Sequence, residues 1–255
     1  MSIQVDLNGL SFFILNSDSN AVVQLISNPF ETKQTPNRLL NHLEHAFNTH
    51  QALQKKFSKV QIIHSNAMQT LVPSALFDEA ALSDYIKYNT KIFKTDFITY
   101  DVIQNEDIMV VYVPLVNINN FIFERFGSFE YKHSATILID RVLQWQKNSS
   151  DTIMFVNIEH KRMTIVVTNG NHLTLYNSFD CNTAEDFIYY ILFTAEQLNL
   201  NPEEFKCQLM GSISENDNLY TMAYTYIRHV SILPYNKMRY HDNKTTAHFT
   251  LLNSL

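Results

Sequence analysis

The chain is short of glycine. It has four glycines in 255 residues, whereas glycine makes up about 7% of an average protein. A loop that wraps a phosphate needs glycine where the backbone must approach the ligand, because a Cβ atom would block the approach. The shortage of glycine therefore argues against a phosphate-binding site that is lined by backbone N–H groups.

Other absences exclude whole classes of protein. Cys181 and Cys207 are the only cysteines and form no Cys-x-x-Cys motif, which excludes a disulfide framework and gives zinc binding little support. No apolar stretch approaches the roughly 20 residues of a membrane span, and the first residues lack the basic region of a secretory signal. With a net charge of -6 and no basic run longer than two residues, the chain also lacks a nucleic-acid surface. We expect a cytoplasmic protein.

The two halves of the chain show the same order of predicted elements, which indicates an internal duplication. Each half has three strands, a helix that opens at a threonine, and a fourth strand. The first helix begins at Thr35-Pro36, where threonine caps and proline fits the first turn. The second begins at Thr183, with Asp186 in a near match to the capping box. We predict two domains, residues 1–147 and a smaller one at 148–255.

Alternation and helical spacing predict the individual elements. We expect the segment at 2–13 to be half-buried strand. The strands predicted for the two repeats are 2–13, 21–26, 59–63, 151–157, 163–168, 172–176 and 206–210. Further helices are predicted at 74–88, 118–126, 134–146 and 217–228, with strands at 97–102 and 108–113. The end of the chain is predicted to be loosely ordered at 236–244, with an edge strand at 247–252.

This order resembles a ribonuclease-H-like unit, and two such units in tandem resemble the α/β architecture of actin-like ATPases, with mixed sheets. The chain is most similar to the cytoplasmic actin-like proteins of type IV pilus and type II secretion assemblies. More narrowly, LNGLSF at 7–12, LVPSALF at 71–77 and FIYYILF at 187–193 resemble an uncharacterised bacterial family, the domain of unknown function 3822. The resemblance covers nearly the whole chain and implies no particular activity.

The resemblance implies where a nucleotide would bind. Actin-like ATPases hold ATP between two domains, with an Asp-x-Gly turn in each first hairpin and a glycine-rich turn at the adenosine. Here Asp6 is followed by Gly9, one position late; Asn157 replaces the second aspartate, with no glycine after it; and Gly211 stands alone at the adenosine position. Asp6, Gly9, Asn157 and Gly211 are thus the cofactor-binding candidates if the cleft is retained, but the motifs are degenerate.

Two other chemistries find little support. A two-metal nuclease needs several converging carboxylates; Asp6 and Glu44 supply two, but the fourth strand ends in His64-Ser65-Asn66. His42, His45 and His50 recur on one helix without a zinc-binding motif, so an exposed helix face is the better interpretation. We therefore predict no metal site.

We expect a non-catalytic pseudo-ATPase that acts as a scaffold or adaptor for an unidentified protein partner. The alternative is a conformational switch that binds ATP with Mg²⁺ weakly. The sequence identifies no catalytic residue for the adaptor or for the switch. Aromatic residues are enriched at interfaces, but those at 121–131 and 220–226 have spacings more typical of core. If any of this aromatic sequence is an exposed contact surface, we expect it to be residues 117–126.

Overall fold

The structure is a computed structural model that describes residues 1–104, 106–159, 161–234 and 247–254. The segment 236–244, predicted to be loosely ordered, lies outside the described residues. The chain divides into two compact units, one formed by Met1–Ile137 with Ser254 and the other by Leu138–Asn253.

The strands are β1 (Ser2–Asp6), β2 (Gly9–Asn16), β3 (Ala21–Pro29), β4 (Gln61–His64), β5 (Gln69–Pro73), β6 (Thr99–Val102), β7 (Ile108–Tyr112), β8 (Glu130–His133), β9 (Thr152–Glu159), β10 (Arg162–Asn169), β11 (His172–Asp180), β12 (Lys206–Gly211) and β13 (His229–Ile232). The helices are α1 (Pro36–Thr49), α2 (Leu82–Ile86), α3 (Val116–Phe126), α4 (Ser134–Gln146), α5 (Ala184–Gln197), α6 (Asn218–Tyr226) and α7 (Phe249–Leu252). Among the described helices, none is both long and apolar enough to cross a membrane.

The first unit is built on a five-stranded sheet in the order β3-β2-β1-β4-β8. β1, β2 and β3 are antiparallel, whereas β4 and β8 run parallel to β1. Ile3, Val5 and Phe12 contribute to a core that includes residues of α1 and α3. The alternate residues of β1, such as Ser2 and Gln4, are buried as well. The prediction of a half-buried strand at 2–13 is therefore wrong, because strands at the centre of a sheet covered on both faces lose their polar side.

Helix α1 begins as predicted. The Thr35 hydroxyl accepts a hydrogen bond from the Arg38 N–H, and Pro36 occupies the first turn. Leu39, Leu43 and Phe47 lie along its buried side. The helix thus closes one face of the sheet through the spacing that the sequence displays.

An insert, residues 69–112, separates β4 from α3 and forms a three-stranded antiparallel sheet in the order β5-β7-β6. The single helix predicted at 74–88 is wrong. The chain forms two short 3₁₀ turns, Ser74–Leu76 and Glu79–Ala81, before α2. Phe77 is extended between them, and the Asp78 carboxylate then accepts from the Ala80 N–H to start the second turn. A capping aspartate inside a helical pattern thus restarts the helix instead of continuing it.

The second unit has a five-stranded sheet in the order β11-β10-β9-β12-β13, with the first three strands antiparallel and the last two parallel to β9. Both units follow the chain order that the sequence predicts, three strands, a helix and then a fourth strand. The capping box at α5 is confirmed, with Thr183 and Asp186 bonded reciprocally. The edge strand predicted at 247–252 is wrong, because this segment forms the short buried helix α7.

A buried polar cluster in the first unit lies where the insert sheet meets the five-stranded sheet. Asp101 of β6 accepts three hydrogen bonds, from the Tyr112 hydroxyl (3.2 Å), the His133 N–H (2.8 Å) and the Thr136 hydroxyl (2.7 Å). Burial raises the pKa of Asp101, and these three donors act in the opposite direction. The cluster ties β6 and β7 to the end of β8 by satisfied polar contacts instead of apolar packing.

His64 is the second polar anchor in this region. Its Nδ1 accepts from the Leu115 N–H at 3.3 Å, so its Nε2, 3.0 Å from Asn119 Oδ1, carries the proton. Burial lowers the pKa of His64 to about 4, and the bond to Asn119 offsets only part of that effect. The native state therefore holds His64 as a neutral imidazole.

This burial predicts a loss of stability in mild acid. An ordinary histidine has a pKa of about 6.5, so below that pH the unfolded chain binds a proton that folded His64 rejects. The free energy of unfolding should fall as the pH drops from about 6.5 toward 4. Each pH unit between the two pKa values removes about 1.4 kcal/mol, so the loss at pH 4 is about 3 kcal/mol. Urea unfolding at a series of pH values measures it.

The matched variant is His64→Gln, which keeps a hydrogen-bonding side chain but does not titrate. Its unfolding free energy should depend on pH less steeply than that of the wild type over the same range. Asp101, with a raised pKa, contributes in the opposite direction in both proteins and cancels in the comparison. Equal slopes in the two proteins would show that His64 is not the group responsible.

Candidate functional site

The hairpin at the start of the first unit contains Asp6 and Gly9. They pair across β1 and β2, and only Leu7 and Asn8 lie between them. Asp6 is buried, and its Oδ1 accepts the Asn8 N–H at 2.7 Å. Gly9 also pairs with Pro29 of β3. The carboxylate thus holds its own turn, as Asp commonly does, and the glycine belongs to the ladder of the sheet instead of a phosphate-binding loop.

The structure brings the two candidates of the second unit together. Asn157 of β9 pairs with Met210, and its neighbour Ile158 pairs with Gly211 at the end of β12. Gly211 has φ +91°, and a Cβ atom there would lie 2.1 Å from the Ile158 carbonyl oxygen and 2.8 Å from Asn157 Oδ1. The strand itself therefore fills the space that glycine opens. Gly211 is required by the close approach of two backbones.

Asn157 is only 4% exposed, and its Oδ1 has no hydrogen-bond partner among the described residues. A buried carbonyl oxygen without a donor costs about 1–3 kcal/mol. It is neutral, so it cannot supply the charge that an aspartate at this position would offer to Mg²⁺. The oxygen is still an acceptor that an added donor group could satisfy.

Around Asn157 lies a polar group that the sequence did not reveal. Arg162 pairs with Glu159, and Thr164 pairs with Asn157, so these side chains share one face of the sheet. Glu159 Oε1 accepts from the Thr250 hydroxyl of α7 at 2.9 Å. Arg162 lies opposite Glu159 across the hairpin. The sequence alone does not reveal this pair of opposite charges, because it does not give the register of the two strands.

No group of three or more His, Cys, Asp or Glu side chains in the part of the chain described here is placed to hold a metal ion. His42, His45 and His50 instead line a pocket of about 190 Å³ beside α1. The His42 ring packs against Phe30 at 4.5 Å between centroids. His42 and His45 are exposed, as predicted for this helix face.

The outward side of α5 carries an aromatic and acidic surface, which we call the α5 face: Glu185, Tyr189, Phe193 and Glu196. Tyr189 and Phe193 are 59% and 42% exposed and stack with their rings 17° from parallel. The two glutamates lie one turn beyond them at either end. Neither α5 nor the adjacent α6 contains a lysine or an arginine. Aromatics four residues apart, opposite the apolar side of the helix, were the sequence signal that the interpretation missed.

The predicted core role of the other aromatics holds in part. Phe121, Phe126 and Tyr220 pack against the cores of their units, as predicted. Phe123, Tyr224 and Tyr226 are well exposed, so the core interpretation is wrong for them. Helical spacing correctly predicts which side of each helix is buried. It does not separate an aromatic residue on the buried side from one at the exposed margin of that side.

Substituting Gly211 should destabilise the second unit strongly. Gly211→Ala adds a Cβ against the Ile158 carbonyl and forces a side chain into a positive φ, which by itself costs about 1–2 kcal/mol. With the backbone clash the total should exceed about 3 kcal/mol. Gly127→Ala is the matched control, because Gly127 has φ +75° but no atom within 4 Å of an added Cβ.

The control should lose only the backbone term, about 1–2 kcal/mol. Chemical denaturation of the two variants and the wild type separates the clash from the strain. Equal losses at the two positions would mean that β9 and β12 tolerate the extra atom, and that Gly211 is kept for another reason.

The chain is similar to several solved structures. A protein of Bacteroides thetaiotaomicron VPI-5482, with an actin-like ATPase fold and unknown function, is 22% identical over 91% of this chain and 89% of its own, with a TM-score of 0.80. PilM, in the PilM–PilN type IV pilus biogenesis complex, is 11% identical over 92% of this chain and 88% of its own, with a TM-score of 0.59. The cytoplasmic domain of EpsL, an inner membrane component of the type II secretion system of Vibrio cholerae, is 10% identical over 99% and 92%, with a TM-score of 0.47.

No curated protein matches the sequence. The family described as "Protein of unknown function (DUF3822)" matches residues 1–230 of the 255. The likeness to the Bacteroides protein shows the fold, an actin-like ATPase fold of the α/β class. The chain therefore belongs to the DUF3822 family of proteins of unknown function.

Proposed function

We propose that this protein is a non-catalytic actin-like adaptor that binds a partner protein through the α5 face. The observation that carries the proposal is Gly211. At the place where an actin-like ATPase uses glycine to admit adenosine, the glycine here makes room for the backbone of β9. A position used for strand packing is unsuited to close contact with a nucleotide.

The other candidate residues support the same conclusion. The Asp6 carboxylate is bonded within its own turn, and the aspartate expected in the second hairpin is the neutral Asn157. Phosphoryl transfer depends on charged groups that hold Mg²⁺ and the phosphates. With one carboxylate buried in a turn and the other replaced, we propose that ATP turnover has been lost.

The α5 face supports partner binding. Exposed aromatic side chains are favoured at the energetic centres of protein interfaces, and Tyr189 with Phe193 forms a rigid stacked pair. Glu185 and Glu196 frame the pair without a basic residue on either helix. The complementary partner is a segment that carries apolar side chains together with arginine or lysine, which would also stack on the rings. A protein of similar fold, PilM, occurs in a complex with PilN.

The alternative is a switch that binds ATP with Mg²⁺ weakly. One observation favours it: the buried Asn157 Oδ1 has no donor among the described residues, and a ligand hydroxyl or amine could supply one. Asp6 retains its charge-bearing side chain at the first hairpin. Nucleotide binding without hydrolysis would therefore be the function to test against the adaptor.

A thermal shift with Mg-ATP distinguishes the two functions. The adaptor predicts no change in the melting temperature at millimolar nucleotide. If the protein is a switch, Mg-ATP at 100 times its Kd should raise the free energy of unfolding by about 2.7 kcal/mol. That gain should raise the melting temperature by several degrees. Asp6→Asn is the variant of choice, because the amide oxygen still accepts the Asn8 N–H while the charge is lost. A shift in the wild type that disappears in Asp6→Asn would overturn the adaptor as the sole function.

The α5 face predicts which variants lose the partner. Tyr189→Ser with Phe193→Ser should weaken capture of the partner from a native extract by at least about tenfold, because interface aromatics each contribute roughly 2 kcal/mol or more. Val23→Ser on β3 is the control, since it removes an exposed apolar side chain that belongs neither to the α5 face nor to residues 117–126. Capture is quantified by mass spectrometry and repeated with the purified partner. A partner that binds the double variant as well as it binds the wild type would exclude the α5 face.

A further inference from the structure

We propose that the tip of the insert, residues 87–97, docks reversibly on an anionic lipid bilayer. None of these residues belongs to the α5 face, and the proposal does not depend on the adaptor function. It is carried by the exposed aromatic rings of the tip, by its lysines and by the backbone contacts that hold it in shape.

The tip exposes three aromatic rings to water, where their apolar surface contributes nothing to the stability of the fold. Tyr88, Phe93 and Phe97 are 83%, 64% and 52% exposed. Ile92, in contrast, packs against the core of the insert together with Ile98. The chain therefore places part of the segment inside and holds three rings outward. Three exposed aromatic rings within a stretch of ten residues mark an interaction surface.

The cationic residues of the insert are all located in the same stretch. Lys87, Lys91 and Lys94 are its only lysines or arginines, and no acidic residue lies between Lys87 and Lys94. Lys87 is paired with Asp84 at 2.7 Å. Lys91 and Lys94 are exposed and make no ion pair with any described carboxylate. The tip is thus locally basic within a chain of net charge -6.

The lysines and the rings are presented together. The Lys87 Nζ lies 5.1 Å from the centroid of the Tyr88 ring, and the Lys91 Nζ lies 6.0 Å from that of Phe93. Each pair offers an ammonium group beside an apolar ring. This is the combination found at the interface of a bilayer, where aromatic rings lie at the level of the headgroups and lysines reach the phosphates.

Local hydrogen bonds fix the shape of the tip. The Phe93 N–H donates to the Asp96 carboxylate at 2.8 Å, and the Asp96 N–H donates to the Phe93 carbonyl at 3.0 Å. On the other side of the tip, the Asn89 side chain donates to the Thr70 hydroxyl at 3.0 Å. Asp96 is consequently engaged in the turn instead of neutralising a lysine. A preformed tip loses little conformational freedom when it docks.

A lipid surface fits these features better than an acidic peptide does. A peptide gains affinity in a groove that encloses its side chains, whereas each of the three rings here is more than half exposed. A bilayer accepts protruding rings into its interfacial layer and attracts lysine through its anionic headgroups. The negative charges elsewhere on the chain are screened beyond the Debye length of about 8 Å at physiological salt.

The test is co-sedimentation of the full chain with vesicles of phosphatidylcholine, with and without phosphatidylglycerol. We expect binding only when phosphatidylglycerol is present, and we expect it to weaken at high salt. Lys91→Glu with Lys94→Glu should reduce the apparent partition constant by at least about tenfold. Phe93→Ser with Tyr88→Ser should also reduce it while leaving the salt dependence in place. All four positions are exposed, and the unfolding midpoints of the variants verify their fold.

Tyr189→Ser with Phe193→Ser, on the α5 face, is the matched control and should bind vesicles as the wild type does. The proposal is overturned if the wild type does not sediment with phosphatidylglycerol vesicles, or if the lysine or ring variants sediment as well as it does. A soluble polyglutamate peptide that binds as tightly as the vesicles, regardless of Phe93→Ser, would assign the tip to an acidic protein segment instead.

Discussion

Burial of the central hairpins on both faces is the constraint on which the rest of the structure depends. β1, β2, β9 and β10 are almost entirely removed from water, so polar groups at their ends must find partners within the fold. Asp6 finds one in its own turn. At the corresponding end of β9 the residue is a neutral amide, which avoids placing an uncompensated charge in the core. The type of polar residue at each hairpin is thus linked to the burial of the hairpins.

The same packing explains Gly211. β12 approaches β9 so closely that the Ile158 carbonyl occupies the space where a Cβ would lie. In a fold that elsewhere binds nucleotide beside glycines, this glycine instead serves the contact between two backbones. The packing of the two strands is by itself a sufficient reason for glycine at this position. The two functions proposed above rest on other surfaces of the chain, the α5 face and the tip of the insert.

Several elements were predictable because their signals are local. Thr35 and Thr183 mark helix starts through their own side chains, and α4 has the bounds that its apolar spacing predicts. The failures have different causes. The segment at 74–88 has helical spacing but is interrupted by the cap at Asp78, and the segment at 247–252 reads as a strand although it folds as α7. Short segments take the conformation that their tertiary contacts favour, which local propensity does not encode.

For the candidate site, the sequence by itself determined which residue types are available: few glycines, one aspartate and one asparagine at the two hairpins, and a single glycine after the fourth strand of the second unit. It also determined the order of elements and hence the fold. Only the tertiary structure decided how those residues are used. The close approach of Gly211 to Ile158 and the exposure of Tyr189 depend on neighbours far away along the chain. Such contacts arise from tertiary packing, and the hydrophobic periodicity of the sequence does not predict them.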